Sequence, residues 1–112
     1  MAPAMRDMIF DGYDQDAWVD AQRYDEADWQ DLVRLWRSYN LHIAHVMAAV
    51  PLDVRERMCS RHNLHEIAFR PVGAGEPVSL GWLMEDYVAH MEHHLSQIHA
   101  LVAGRPAPPK AN

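Results

Sequence analysis

Three histidines fall within five positions near the end of the chain, in the stretch DYVAHMEHHLSQI that spans residues 86–98. Neutral imidazole is a common ligand for zinc, nickel, copper and iron. His90 and His94 are four residues apart, so on a helix their side chains lie on one face, on successive turns. Two imidazoles in this arrangement can reach one metal ion, as they do in helical metalloenzyme motifs. The spacing therefore makes His90 and His94 candidate metal ligands.

A second interpretation of this pair needs no metal. Two buried rings without partners would cost roughly 1–3 kcal/mol each. Hydrogen bonds to neighbours such as Tyr39, Asn40 or Tyr87 would remove that cost equally well. The zinc-protease pattern is absent because no glutamate directly follows His90. Both interpretations, two metal ligands or two satisfied core histidines, stay open at this point.

Further histidines lie on or near the same predicted helices. His42 and His45 fall beside the apolar face of the earlier helix and are candidates for additional ligands. His93 and His99 lie at the flank of the later helix face or outside it. The candidates for a third ligand are therefore His42, His45 or a histidine of a second copy of the chain, and the sequence does not strongly favour one of them.

The loop between the two long helices carries its own candidates. His62 and His65 form an H-x-x-H pair that Glu66 follows, and such a loop pair can bind metal. Exposed loop histidines are the favoured interpretation. The one cysteine, Cys59, excludes an intrachain disulfide, and no activating base near it in sequence marks a catalytic thiol.

The first long helix is predicted between Glu26 and Val50, where no Gly or Pro intervenes. Its apolar residues recur at steps of three and four, which defines one helix face. Asp25 is the predicted N-cap, and Asp28 would then occupy the first turn, where an acid suits the helix dipole. Pro51 ends the helix because its ring disfavours the α conformation at Val50.

The second long helix positions the histidine pair. Ser79 is its predicted N-cap, the helix extends to about Ala103, and Gly104 stops it. Apolar residues from Leu80 to Val102 form a stripe that includes both His90 and His94. The pattern therefore predicts that both imidazoles point into the interior.

The remaining segments are short or irregular, and together with the two helices they predict an all-α fold. In chain order we expect an irregular N-terminal arm (residues 1–12), a single helical domain (13–104) with short helices near 14–24 and 52–60 and a loop or loose hairpin over 61–78, and a flexible proline-rich tail (105–112).

Composition narrows the class of protein. The chain of 112 residues carries a formal net charge of −6, and from Asp7 to Asp31 there are nine acids against one base. Such a run is typical of a solvated face, and an acidic surface repels phosphate, which argues against nucleic-acid binding. The sequence shows no signal peptide and no apolar run of membrane-spanning length. We therefore predict a cytoplasmic protein that binds neither nucleic acid nor membrane.

The second long helix resembles the last helix of DinB-like proteins. That helix carries H-x-x-x-H followed closely by Gln-Ile, which correspond here to His90, His94, Gln97 and Ile98. The preceding region, YDQDAWVDAQRYDEADWQDLVRLWRSYN, is similar to the family's third helix. The resemblance covers roughly residues 13–101.

The resemblance implies a helical bundle and a function. Family members form a four-helix bundle and bind a metal, often nickel or zinc, through three histidines, two of which match His90 and His94. The third comes from an earlier helix, preceding the part that this chain resembles. Some relatives are transferases or isomerases that use a small thiol. The resemblance therefore implies a DinB-like metal-binding protein, which would act as a metal-dependent, thiol-dependent transferase-like hydrolase or transferase on a small-molecule substrate that the sequence does not identify.

The missing third ligand leads to an expectation about assembly. Two long amphipathic helices make a thin core, and a second copy can cover their apolar stripes. We expect a homodimer whose long helices complete a four-helix bundle and bring His90 and His94 of both chains together. The alternative function is a non-catalytic dimeric helical scaffold that has lost the family's complete metal site.

Overall fold

The computed structural model describes residues 7–12 and 14–106, and the protein is mostly helical over these ranges. This agrees with the predicted all-α class. Contacts divide the chain into two units, Asp11–Val50 and the remainder on either side of it. The single domain over 13–104 stays a prediction, and the last six residues of the predicted tail lie outside the described residues. The elements in chain order are α1 (Gln15–Gln22), a 3₁₀ turn (Tyr24–Glu26), α2 (Trp29–Ala49), α3 (Leu52–Glu56), β1 (Met58–Cys59), α4 (Leu64–Ile67), β2 (Val78–Ser79) and α5 (Leu80–Val102).

Aspartates begin both α-helices of the unit Asp11–Val50. The Asp14 carboxylate accepts a hydrogen bond from the backbone N–H of Ala17, which starts α1. The expected N-cap of α2 at Asp25 is wrong, because that residue lies in the 3₁₀ turn and Asp28 caps the helix instead. Its Oδ1 accepts from the N–H groups of Gln30 at 2.7 Å and Asp31 at 3.3 Å. The helix is therefore capped three residues later than predicted and begins at Trp29.

The other end of α2 lies where the sequence places it. Val50 leaves the helix in an extended conformation directly before Pro51. Although α2 carries the predicted apolar stripe, none of its side chains is buried, and Trp29, Trp36 and Tyr39 are each about half exposed or more. The apolar face of α2 therefore has little cover within its own unit, Asp11–Val50.

A small core holds the other unit together. Met8, Leu64 and Val78 are buried against one another, with half-buried side chains such as Phe10 and Trp82 around them. Met8 lies in a parallel bridge with His62, so part of the predicted irregular arm (residues 1–12) belongs to the core, and the prediction is wrong there. Residues 1–6 of the arm lie outside the described residues. This packing was not predictable, because Met8 does not belong to a periodic apolar pattern.

The Asn63 side chain fixes this N-terminal segment. Its Oδ1 accepts from the N–H of Phe10 at 2.8 Å, and its Nδ2 donates to the carbonyl of the same residue at 2.6 Å. The amide thus replaces both partners that a neighbouring strand would supply. Phe10 is therefore attached to Asn63, the residue that directly precedes α4.

The segment between α2 and α5 differs from the prediction, because the short helix α4 lies within the predicted loop over 61–78. The predicted helix near 52–60 ends at Glu56, and β1 then pairs antiparallel with β2. Gly81, in the first turn of α5, lies so close to α3 that a Cβ there would be 3.2 Å from the Arg55 Cγ. The pairing and this close approach together place the start of α5.

Both ends of α5 confirm the sequence prediction. The Ser79 hydroxyl accepts from the N–H of Trp82, and Gly104 follows the helix with a φ of 70°. The N–H of Arg105 donates to the carbonyl of Ala100 at 2.8 Å, as in a Schellman motif. No helix in the described ranges is long and apolar enough to cross a membrane. The cytoplasmic location stays a prediction.

Replacing Leu64 with alanine should destabilise the protein strongly. Leu64 is fully buried, so Leu64→Ala removes its contacts and leaves a cavity, lowering the free energy of unfolding by about 2–5 kcal/mol. The matched control is Leu101→Ala, whose side chain is 70% exposed and should cost under about 1 kcal/mol. Urea denaturation followed by circular dichroism measures both. Equal losses in the two variants would show that this core does not stabilise the fold.

Candidate metal-binding site

Three imidazoles meet on one side of α5. The ring centroids of His90 and His94 are 4.5 Å apart, and those of His93 and His94 are 5.7 Å apart. The predicted pair is therefore brought together by one turn of helix. His93, expected at the flank of the helix face, lies beside the pair and contacts it from there.

The cluster is only partly covered. His90 and His93 are half-buried and His94 is exposed, so the prediction that both members of the pair point into the interior is wrong for His94. The covering element is a loop residue, Phe69. Its ring stacks on His90 at a centroid distance of 4.8 Å and an angle of 10°, and lies 5.1 Å from His93. One side of the cluster is closed and the side of His94 is open.

The His94 ring is oriented by a neighbour on the same helix. Its Nδ1 donates to the Oε1 of Gln97, 2.8 Å away. With the proton on Nδ1, the Nε2 lone pair is free to bind a cation, and a hydrogen bond of this kind commonly orients metal-ligating histidines. The same bond also fits the alternative of a hydrogen-bonded histidine, with Gln97 as the neighbour. It uses Nδ1 and not Nε2 of His94, so both interpretations of this ring stay open.

The His93 ring has a different environment. Its Nε2 is buried and, within the described residues, has no hydrogen-bond partner. A buried polar atom without a partner costs free energy, so it marks a place where the protein alone does not satisfy its own groups. This orphaned nitrogen lies beside the pair formed by His90 and His94.

The pKa of His90 lies below the ordinary value of 6.5 for histidine. Burial disfavours the charged ring, and the neighbouring His94 and His93 act in the same direction, while Asp86 opposes them. The neutral form that His90 adopts at neutral pH is the form that binds metal.

The other candidate histidines do not join this cluster. His62 was expected at the surface of the loop, but it is buried, which corrects that expectation. Its Nε2 donates to the carbonyl of Glu76 at 2.6 Å, and its Nδ1 accepts from the N–H of Leu64. Both nitrogens are used by the fold. His65 lies apart from the cluster, and its Nε2 is 3.7 Å from the Glu66 carboxylate.

His42 and His45 belong to the unit Asp11–Val50. Both are exposed on α2, and their ring centroids are 6.3 Å apart. Their role as additional ligands stays a prediction. Cys59, in β1, donates a hydrogen bond from its thiol to the carbonyl of Arg61 at 3.3 Å.

The donors present fit half of a metal site. In the ranges 7–12 and 14–106, no group of three or more His, Cys, Asp or Glu side chains is arranged to hold a metal ion. A pair of imidazoles with one oriented ring is suited to zinc or nickel, which prefer nitrogen ligands, but needs further ligands from outside the pair.

Sequence reasoning missed Phe69, because a loop residue gives no periodic signal. The sequence did contain a signal for Asp86, the α5 residue whose carboxylate binds the N–H of Phe69. Asp86 lies three residues after Leu83 and four before His90, so an acid falls within the apolar stripe. A charge at such a position indicates a specific buried partner.

No family model, curated protein or solved structure matches this chain.

The titration of His90 should show its lowered pKa. In metal-free protein, NMR titration should place the His90 midpoint below 6.5, with the resonance identified by its loss in His90→Gln. Because the unfolded chain binds this proton more readily, the contribution of His90 to stability is complete above pH 6.5. It is lost as the pH falls through the lower, folded-state pKa. A midpoint at or above 6.5 would contradict the burial of the ring.

Proposed function

We propose that this chain is a DinB-like metal-binding protein in which His90 and His94 are two ligands of a zinc or nickel ion. The observation that carries the proposal is the pair itself: two imidazoles 4.5 Å apart, one with its Nδ1 held by Gln97. The lowered pKa of His90 supports it, since a neutral ring needs no deprotonation before it binds.

The reaction class proposed for the site is that of a metal-dependent hydrolase or thiol-dependent transferase. A divalent ion bound there would lower the pKa of a coordinated water or thiol. The chain's own contribution is to orient His94 through Gln97 and to exclude water from the Phe69 side of His90. The open side, at His94, is where a small-molecule substrate would approach.

A second copy of the chain is the proposed source of the remaining ligands and of cover for α2. A single copy offers two ligands at the pair, and a two-fold axis doubles that number to the four of a tetrahedral site. The exposed apolar face of α2 supports association, because large aromatic side chains such as Trp36 and Tyr39 are costly to leave in water. A homodimer would complete a four-helix bundle from two long helices of each chain.

Native mass spectrometry of untagged protein, prepared without chelator or a nickel column, tests the metal site. We expect a dimer mass that carries transition-metal ions, and loss of the metal in the double variant His90→Ala/His94→Ala. The control is His99→Ala, which removes an exposed imidazole from the same helix and should keep the metal. The number of protein ligands then separates the uses of the ion, since four indicate a structural site and an open position favours catalysis.

The opposite result favours the alternative function. Protein that carries no metal and also refuses added zinc and nickel would make the three imidazoles features of a non-catalytic helical scaffold. The DinB-like assignment of the metal ligands would then be wrong for this chain.

The dimer has its own test in charged substitutions on α2. Trp36→Glu places a charge within the apolar stripe and should raise the dimer dissociation constant by about tenfold or more. The matched control is Leu41→Glu, because Leu41 is also exposed but lies about 140° around the helix from Trp36. Sedimentation velocity over a concentration series measures both. Equal effects, or a monomeric parent protein, would contradict an interface on this face.

A further inference from the structure

A buried carboxylate lies one turn before the histidine cluster on α5. Asp86 is 4% exposed, and both of its oxygens accept hydrogen bonds from consecutive loop residues. Its Oδ2 accepts from the N–H of Phe69 at 2.9 Å, and its Oδ1 accepts from the N–H of Arg70 at 2.8 Å. Hydrogen bonds to an ionised acceptor are the strong ones, so the backbone of these two residues is fixed against the helix.

The Arg70 side chain closes the arrangement. Its Nε donates to the Asp86 Oδ1 at 3.1 Å, and its Nη2 donates to the carbonyl of Trp82 at 2.7 Å. The guanidinium also lies over the Trp82 ring, 4.6 Å from the centroid. The charge of the buried carboxylate is thus paired, and the pair is attached to α5 at two turns.

This arrangement determines where the Phe69 ring lies. Because Asp86 binds the Phe69 N–H, the Phe69 side chain lies over the next turn of α5. There it stacks almost parallel on His90 and touches His93. The His90 ring therefore contacts the rings of both Phe69 and His94, with centroid distances of 4.8 Å and 4.5 Å.

We propose that Asp86 and Phe69 are positioning residues of the imidazole cluster: the Asp86 carboxylate fixes the loop backbone, and the Phe69 ring fixes the orientation of His90. This rests on the proposed function for its consequence, which is metal affinity. The positioning itself is a property of the protein without metal. Neither residue is a proposed metal ligand, and both would act on the ion through the His90 ring, which is one.

The variants separate the two links of this arrangement. Phe69→Leu keeps an apolar side chain but removes the flat ring, while Phe69→Tyr keeps the ring and serves as the conservative rescue. Asp86→Asn keeps the shape but turns one acceptor oxygen into a donor that faces the loop N–H groups. Glu85→Gln is the matched charge control, because Glu85 is the exposed neighbour of Asp86 on the same helix.

The first readout is the proton NMR spectrum of the full chain freed of metal. A ring stacked on His90 shields its carbon-bound protons, so we expect an upfield shift in the parent protein and in Phe69→Tyr. The shift should disappear in Phe69→Leu and decrease in Asp86→Asn, and it should be unchanged in Glu85→Gln. A merely stabilising role for Asp86 would leave this shift in place in folded Asp86→Asn.

The second readout is the affinity for Zn²⁺ alone, measured by competition with a chromophoric chelator. Loss of the positioning residue should weaken binding by roughly 10- to 100-fold in Phe69→Leu and Asp86→Asn, with Phe69→Tyr and Glu85→Gln at the parental value. If Asp86→Asn does not fold, Phe69→Leu and its tyrosine rescue decide the question.

The outcomes distinguish the two proposals. A parent protein that binds no Zn²⁺ but shows the shielded His90 protons, lost in Phe69→Leu, sinks the proposed function and retains the positioning. Unchanged His90 shifts in Phe69→Leu overturn the positioning, whatever the metal result. Altered shifts with parental Zn²⁺ affinity overturn the proposed consequence of the positioning for the metal.

Discussion

The carboxylate of Asp86 is the group on which the geometry of the histidine cluster depends. The connection it anchors runs from α4 to β2 and contains no helix or strand long enough to fix its own path. Taking an ionised carboxylate out of water is tolerated only where donors replace its hydration. Here Phe69 and Arg70 supply them, so a single buried charge determines how this loop crosses α5.

The protein has few other means of fixing that loop, because its buried core is small. Met8, Leu64 and Val78 form the core of one unit, and no side chain of α2 is buried in the other. Small domains bury a low fraction of their surface and are correspondingly marginal in stability. In the proposed dimer, cover for α2 and ligands for the metal come from one partner, so association and metal binding would strengthen each other.

The features that local chemistry decides were predictable from sequence. Ser79 begins α5 and Gly104 ends it, since capping and a positive φ are properties of the residue itself. The start of α2 was not, because Asp25 and Asp28 are three residues apart and either can cap a helix. The burial of His62 depends on a carbonyl fourteen positions away, and no local pattern carries that information.

The candidate site also contains one part that the sequence predicts and one part that depends on tertiary contacts. Helix spacing alone brings His90 and His94 together, and the family resemblance drew attention to Gln97. Phe69 reaches the cluster through a tertiary contact, because its loop packs on α5 at Asp86, seventeen positions further along the chain. Periodicity reports which face of a helix is apolar, but it does not report what covers that face.

The hydrogen bonds between Asn63 and Phe10 have a consequence for the topology of the chain. They join residues that are 53 positions apart, and the whole unit Asp11–Val50 lies between them in sequence. In terms of connectivity, that unit is an insertion, and both of its ends emerge from the other unit. Closing so long a loop carries an entropic cost that local contacts do not. Residues 7–10 are therefore expected to be the last part of their unit to dock during folding and the first to detach during unfolding.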